Sequence, residues 1–213
     1  PIKLQDANNK VVAFHTNFEA ALAAAIADEN VVRMEISEDI TQTTVEDSDN
    51  YYDVVRPLSI GTDGAEVTVS IKPTSGGAIS VRVMGDGASL IIEENLTIDH
   101  LDVVANGFAT TGESMVINGT LKAVSLKQWT NNNTITVSET GSVWLGFGDG
   151  QFDMAYGKGT VTIHGNGNET DPQFKAGYSG TRGNGNTLNL NDTYFEGGAW
   201  FNVNGSNGVF NID

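Results

Sequence analysis

Val67-Thr68-Val69-Ser70-Ile71 and Ile79-Ser80-Val81-Arg82-Val83 alternate apolar and polar residues, the period of a half-buried strand. A shorter form of the pattern recurs along the chain: a small or amide residue, Ser or Thr, an aliphatic, a variable residue and a second inward apolar one. It runs from Ala88 to Ile92, Gly119 to Ala123, Asn133 to Val137, Gly141 to Leu145, Gly159 to Ile163 and Asn186 to Leu190. The runs are irregularly spaced, about 8 to 31 residues apart, so the repeat is imperfect. Upstream, Val32 to Ile36 reads as the first strand, and before it the period changes. Thr16-Asn17-Phe18-Glu19 has the form of a capping box, and Phe18, Leu22, Ala25 and Ile26 make an apolar stripe at helical spacing. One helix is therefore expected over about 17–28.

Many short strands with Gly and Asn turns suit either a β-sandwich or a β-solenoid. Asn-Gly pairs stand at Asn106-Gly107, Asn118-Gly119, Asn166-Gly167, Asn184-Gly185, Asn204-Gly205 and Asn207-Gly208, as they would in sandwich hairpins. The strands beside them are too short to be long hairpin arms, whereas a solenoid coil needs short strands and sharp bends at residues that tolerate positive φ. Asparagines in successive coils can also hydrogen-bond along the axis. An N-terminal helix fits the same reading, because an open first coil exposes an apolar cross-section that must be covered. The expectation is an all-β, right-handed parallel β-helix with an N-terminal capping α-helix: one domain over 1–213, with a cap over 1–30 and coils over 31–213. The chain begins at Pro1 without a signal peptide and stops at Asn211-Ile212-Asp213 within an alternating pattern, so it is expected to be part of a longer protein.

Charge narrows the partners. Lys and Arg total 11 against 27 Asp and Glu, a net charge of -16, which disfavours nucleic acid and anionic membrane surfaces. There is no cysteine, so disulfides and thiolate metal sites are excluded. No apolar run approaches the roughly 18 residues of a membrane span.

The segment from Phe18 to Ile40, a Phe-Glu-Ala-Ala-Leu helix followed by Val-Val-Arg-Met-Glu-Ile-Ser-Glu-Asp-Ile, resembles the opening of pectate-lyase-like adhesive domains of Gram-positive surface proteins. The Gly-Ala-Ser-Leu-Ile-Ile and Asn-Gly-Thr-Leu runs are similar to coils of that family. The resemblance implies a right-handed β-helix, display at the cell surface or secretion, and a role in adhesion.

Polysaccharide lyases of the related fold use a basic residue to abstract a proton beside a uronate carboxylate. Arg33 and Arg82 occupy outward positions of alternating strands, and Arg33 is flanked by Glu35, Glu38 and Asp39. A glycoside hydrolase needs two carboxylates facing each other across the sugar; Asp149 with Asp153, or Glu93 with Asp99, would satisfy the residue type, but nothing singles out a pair. His15, His100 and His164 are scattered and give no metal-binding spacing. Glu46 to Asp53 and Asn166 to Asp171 concentrate oxygen ligands that suit calcium, without the spacing of a known calcium loop. No catalytic residue and no cofactor is assigned.

Of the 17 aromatic residues, 12 follow position 128. Val143 and Leu145 claim the inward positions of their run, so Trp144 should point outward, and Trp129 sits in a polar turn. Exposed rings beside amides and carboxylates are what sugar recognition uses. The candidate carbohydrate site therefore comprises Trp129, Trp144, Tyr156, Tyr178, Asp149 and Asp153; the alternative is that these rings fill a wider coil or meet a following one. Asn-x-Thr triplets stand at Asn95, Asn118, Asn132, Asn168 and Asn191, and the Thr-bearing strand starts of the repeat explain most of them. Thr-x-Thr pairs at Thr41-Thr43, Thr134-Thr136 and Thr160-Thr162 raise ice binding as a further alternative, but they are too irregularly spaced to build a flat lattice. The sequence thus points to a monomeric adhesin-type module that binds host or matrix glycan, with a β-helix polysaccharide-degrading enzyme and an inert stalk as alternatives.

Overall fold

A computed structural model describes residues 1–44, 51–73, 79–99, 101–105, 112–123, 125–128, 132–145, 151–154, 159–165, 173–181, 185–193, 195–203 and 207–213. Its alternating segments are stacked strands of a right-handed parallel β-solenoid. Strands Arg33–Ile36, Leu58–Thr62, Ser89–Ile92, Ser114–Ile117, Thr134–Val137, Thr160–His164, Thr187–Asn191 and Val209–Ile212 pair in parallel succession and form face one. Ile40–Thr44, Val67–Pro73, Leu96–Asp99, Thr120–Ala123 and Ser142–Leu145 form face two. Tyr51–Val54, Ile79–Val83, Leu101–Ala105, Ser125–Gln128 and Gln151–Met154 form face three. Strand Phe174–Thr181 joins the last two faces, its start paired with Val143–Leu145 and its end with Gln151–Met154; Phe195–Val203 lies along it.

The alternation puts every second side chain into the core. On face one Leu58, Leu90, Met115, Ile135, Val161 and Leu188 are in register, and Ile60, Ile92, Ile117, Val137, Ile163 and Leu190 form a second column two residues on. All of them are buried, and each such side chain contributes about 1.5–3 kcal/mol relative to exposure. One turn of the coil takes 20 residues from Met115 to Ile135 but 32 from Leu58 to Leu90. The difference is absorbed between strands, so the register holds while the sequence spacing does not.

The recurring five-residue run separates into two sets. Runs opening at Ala88, Asn133, Gly159 and Asn186 enter face one, and those opening at Gly119 and Gly141 enter face two. The opening residue is a buried corner on which the neighbouring coil rests. Asn186 is fully buried there, its Oδ1 accepting the Gly159 N–H at 2.9 Å. A Cβ at Gly141 would lie 2.0 Å from the Ile117 carbonyl oxygen, so only glycine lets the two backbones approach this closely. Gly141→Ala is expected to cost about 1–3 kcal/mol, read as a lower urea midpoint in equilibrium unfolding; an unchanged midpoint would mean that the corner relaxes freely.

The N-terminal cap holds more than the expected helix. Strands Ile2–Gln5 and Val11–His15 form an antiparallel hairpin, and Ile2–Gln5 pairs antiparallel with Arg33–Ile36, extending face one beyond the first coil. Its turn is set by Asp6, whose Oδ1 accepts the N–H groups of Asn8 and Lys10, both at 2.9 Å, and by Asn9 at φ 60°. The helix spans Phe18–Ala27, and its N-cap is Asn17 rather than Thr16: the Asn17 Oδ1 accepts the Ala20 N–H at 2.8 Å. The shift of one residue frees Glu19 from the capping box, and it accepts a hydrogen bond from the Tyr52 hydroxyl instead. Burial, and then Glu19, raises the Tyr52 phenol above its ordinary range. Phe18, Ala21, Leu22 and Ala25 are buried against the coil ends, and the Arg56 guanidinium donates to the carbonyl oxygens of Ala25, Ile26 and Asp28 at the helix C-terminus.

Candidate functional site

Where face one turns into face two, a groove of about 550 Å³ runs along the axis from Asp39 in the first coil to Thr140 in the fifth. Four steps of about 4.8 Å between stacked strands make it roughly 19 Å long. Thr68, Thr97, Thr120 and Ser142 occupy equivalent outward positions in successive strands of face two, and the first three line the groove. Thr120 Oγ1 and Ser142 Oγ lie 2.9 Å apart, which ties the ladder together along the axis.

Further lining comes from the corner residues beside the ladder. Asp39, Glu66 and Glu94 contribute carboxylates, and Asn95 and Asn118 contribute amides. Asp39 Oδ1 accepts the Thr68 N–H at 2.8 Å, and Glu94 Oε1 accepts the Thr140 hydroxyl at 3.3 Å. Asn95 sits at φ 64°, a conformation an asparagine tolerates, and its Nδ2 donates to the Gly64 carbonyl at 3.3 Å. Among the described residues no cationic side chain lines the groove, and three carboxylates do, in a chain that is already strongly acidic. The lining offers hydroxyls, amides and carboxylates in axial repeat, a set that can both donate to and accept from a ligand rich in hydroxyl groups.

Among the candidates read from the sequence, Trp144 is on face two and points outward, 39% exposed. It stands in register between Lys122 and Lys175, and the Lys122 Nζ lies over the ring at 5.1 Å from its centroid. Part of the ring is thus engaged within the protein. Trp144 is also one outward position along the strand from Ser142, about 7 Å from the end of the groove's hydroxyl ladder. Asp153 and Tyr178 belong to face three, Asp153 in register with Lys127 and Gly180 and Tyr178 with Gln151. They therefore do not share a face with Trp144. Trp129, Asp149 and Tyr156 lie outside the described residues, as do His100, Glu46 to Asn50 and Asn166 to Asp171 of the metal and calcium readings. Among the described residues no group of three or more His, Cys, Asp or Glu side chains is placed to hold a metal ion, and no helix is long and apolar enough to cross a membrane.

Both arginines considered for lyase chemistry are held in ion pairs. Arg82 donates to both carboxylate oxygens of Asp53, one coil away, at 2.7 and 2.8 Å. Arg33 donates to both oxygens of Glu93 at 2.8 Å, and also to Glu35, Gln5 and the Thr62 carbonyl. Its pKa is raised above the ordinary value, chiefly by Glu93, which moves it away from acting as a base. Glu93 is likewise committed to Arg33 and is no partner for Asp99 in a hydrolase pair.

The groove was not read from the sequence, although it left a trace. Asn95-Leu96-Thr97 and Asn118-Gly119-Thr120 place an amide and a hydroxyl at the same corner of successive coils. Comparisons with protein-family models, curated proteins and solved structures returned no match.

Proposed function

We propose that this solenoid is a carbohydrate-binding module of adhesin type, secreted or attached to the cell surface, which engages a host or matrix glycan along the face-two groove. The observation that carries the reading is the groove itself: a trough about five coils long, lined by a hydroxyl ladder together with amides and carboxylates. A glycan chain laid along the axis meets one set of hydrogen-bonding groups per coil, and Trp144 offers ring surface just beyond the ladder. The resemblance of Phe18 to Ile40 to pectate-lyase-like adhesive domains agrees with this reading. Two of the three carboxylates are engaged within the protein, Asp39 by the Thr68 N–H and Glu94 by the Thr140 hydroxyl. That engagement supports binding over glycoside hydrolysis, where two carboxyl groups act across the bond.

The test is a glycan array run beside an assay for unsaturated or reducing-sugar products. The reading expects bound glycan, no product, and loss of binding in Thr97→Lys, whose long cationic side chain would fill the groove. Trp144→Ala should weaken binding without abolishing it, since Lys122 already occupies part of the ring. Product formation would replace the binding reading with an enzymatic one, and an array without a hit would leave the chain a stalk.

A further inference from the structure

Among the described residues, the two outward columns of face one carry no charged side chain from the third coil onward. The first column is Ser89, Ser114, Thr134, Thr160 and Thr187, a hydroxyl in five successive coils. The second is Ile91, Val116, Thr136, Thr162, Asn189 and Asn211. Faces two and three place Asp99, Lys122 and Lys175, or Arg82 and Lys127, at equivalent outward positions. In a chain of net charge -16, two columns of hydroxyls, methyls and amides are a local departure in composition, with the His164 imidazole one outward position beyond Thr162. The two Thr-x-Thr pairs that look unrelated in sequence are stacked here, Thr134 on Thr160 and Thr136 on Thr162.

The resulting grid repeats about every 4.8 Å along the axis and about every 6.6 Å along the strands. Threonine side chains hold it stiffly, because β-branching restricts χ1. Amide contacts fix it axially: Asn211 Nδ2 donates to Asn189 Oδ1 at 2.8 Å, and Asn189 Nδ2 donates to Thr162 Oγ1 at 3.1 Å. Side-chain ladders of this kind are among the devices that stabilise flat stacks of strands where these occur. A regular, charge-free grid of stiff side chains is suited to a ligand that is itself a periodic surface of hydrogen-bonding groups. Charged groups would hold hydration shells of their own and break the match, whereas hydroxyls and methyls can share ordered water with a lattice.

We infer that the outward surface of face one, centred on Thr134, Thr136, Thr160 and Thr162, binds the surface of crystalline ice. This site is separate from the groove and does not depend on glycan binding. The experiment follows single ice crystals in droplets of the purified chain, together with partitioning of the chain into slowly growing bulk ice. Faceted crystals, a gap between melting and growth temperatures, and enrichment in the ice fraction are expected. Thr162→Lys should abolish all three, and Thr41→Lys, the same exchange on face two, should retain them, with circular dichroism establishing that both variants are folded. Unshaped crystals and exclusion of the folded native chain from ice would overturn the inference. So would a Thr162→Lys variant as active as the native chain, or retention on crystalline polysaccharide without any effect on ice.

Discussion

Phe18→Ala is expected to lower the unfolding free energy by about 3–5 kcal/mol, the largest loss from a single side chain in the cap. Phe18 is fully buried and opens the helix that covers the first coil, and its N–H donates to the side-chain oxygen of Gln42 on face two. Truncation leaves a cavity between helix and coil where the surrounding backbone is held by Asn17, Arg56 and the Tyr52–Glu19 contact, so little collapse can offset the loss. The exposed end of a parallel stack is also a template for further strands. The variant should therefore show both a reduced denaturation midpoint and concentration-dependent association by light scattering. A midpoint within error of the native value would show that the helix contributes little to the solenoid.

Arg33→Met should cost about 2–3 kcal/mol at neutral pH, somewhat below the loss for a fully buried pair because the groups retain some solvent. Lys3, Glu35, Arg33 and Glu93 form a continuous row across the hairpin and the first three coils, with Lys3 Nζ 2.6 Å and Arg33 Nη1 2.7 Å from Glu35. Removing the guanidinium leaves Glu93 and Glu35 partly buried without their main or second partner. Glu35 is held below the usual carboxylate range by Lys3 and then Arg33, and Glu93 chiefly by Arg33. A carboxylate whose pKa is depressed on folding stabilises the native state fully above its unfolded value, about 4.3 for glutamate. That contribution is lost as pH falls through the lower folded value. The native chain should thus lose stability steeply below about pH 4.3, and the gap between native and Arg33→Met should narrow over the same interval. Urea titrations at neutral and acid pH measure this; a gap independent of pH would assign the loss to packing of the arginine stem.

The fold class was legible because alternation is local: each strand from Val67 to Leu190 carries its own inward and outward residues, and a stacked coil needs little else. The cap was legible as a helix but not in its detail. Thr16 and Asn17 are both good caps, and only packing of Phe18 decides between them. The hairpin from Ile2 to His15 escaped notice because its strands are short and pair with Arg33–Ile36, a contact that spans the helix. Non-local register explains the other misses. Asp53 meets Arg82, and Arg33 meets Glu93, because coils of unequal length bring them level, and sequence distance gives no hint of it. The same effect hid the stacking of Thr134 on Thr160 and dispersed the groove over Asp39, Glu66, Glu94 and Asn118. Trp144 was placed outward correctly, since its two inward neighbours are unambiguous; that Lys122 covers it depends on the neighbouring coil.

The most direct measurement is a calorimetric titration of an array-identified glycan into the native chain and into Thr97→Lys. Saturable binding to the native chain, absent in a Thr97→Lys variant with an unchanged unfolding curve, is the predicted result. Equal binding by both proteins would place the ligand elsewhere on the solenoid and contradict the assignment of the groove.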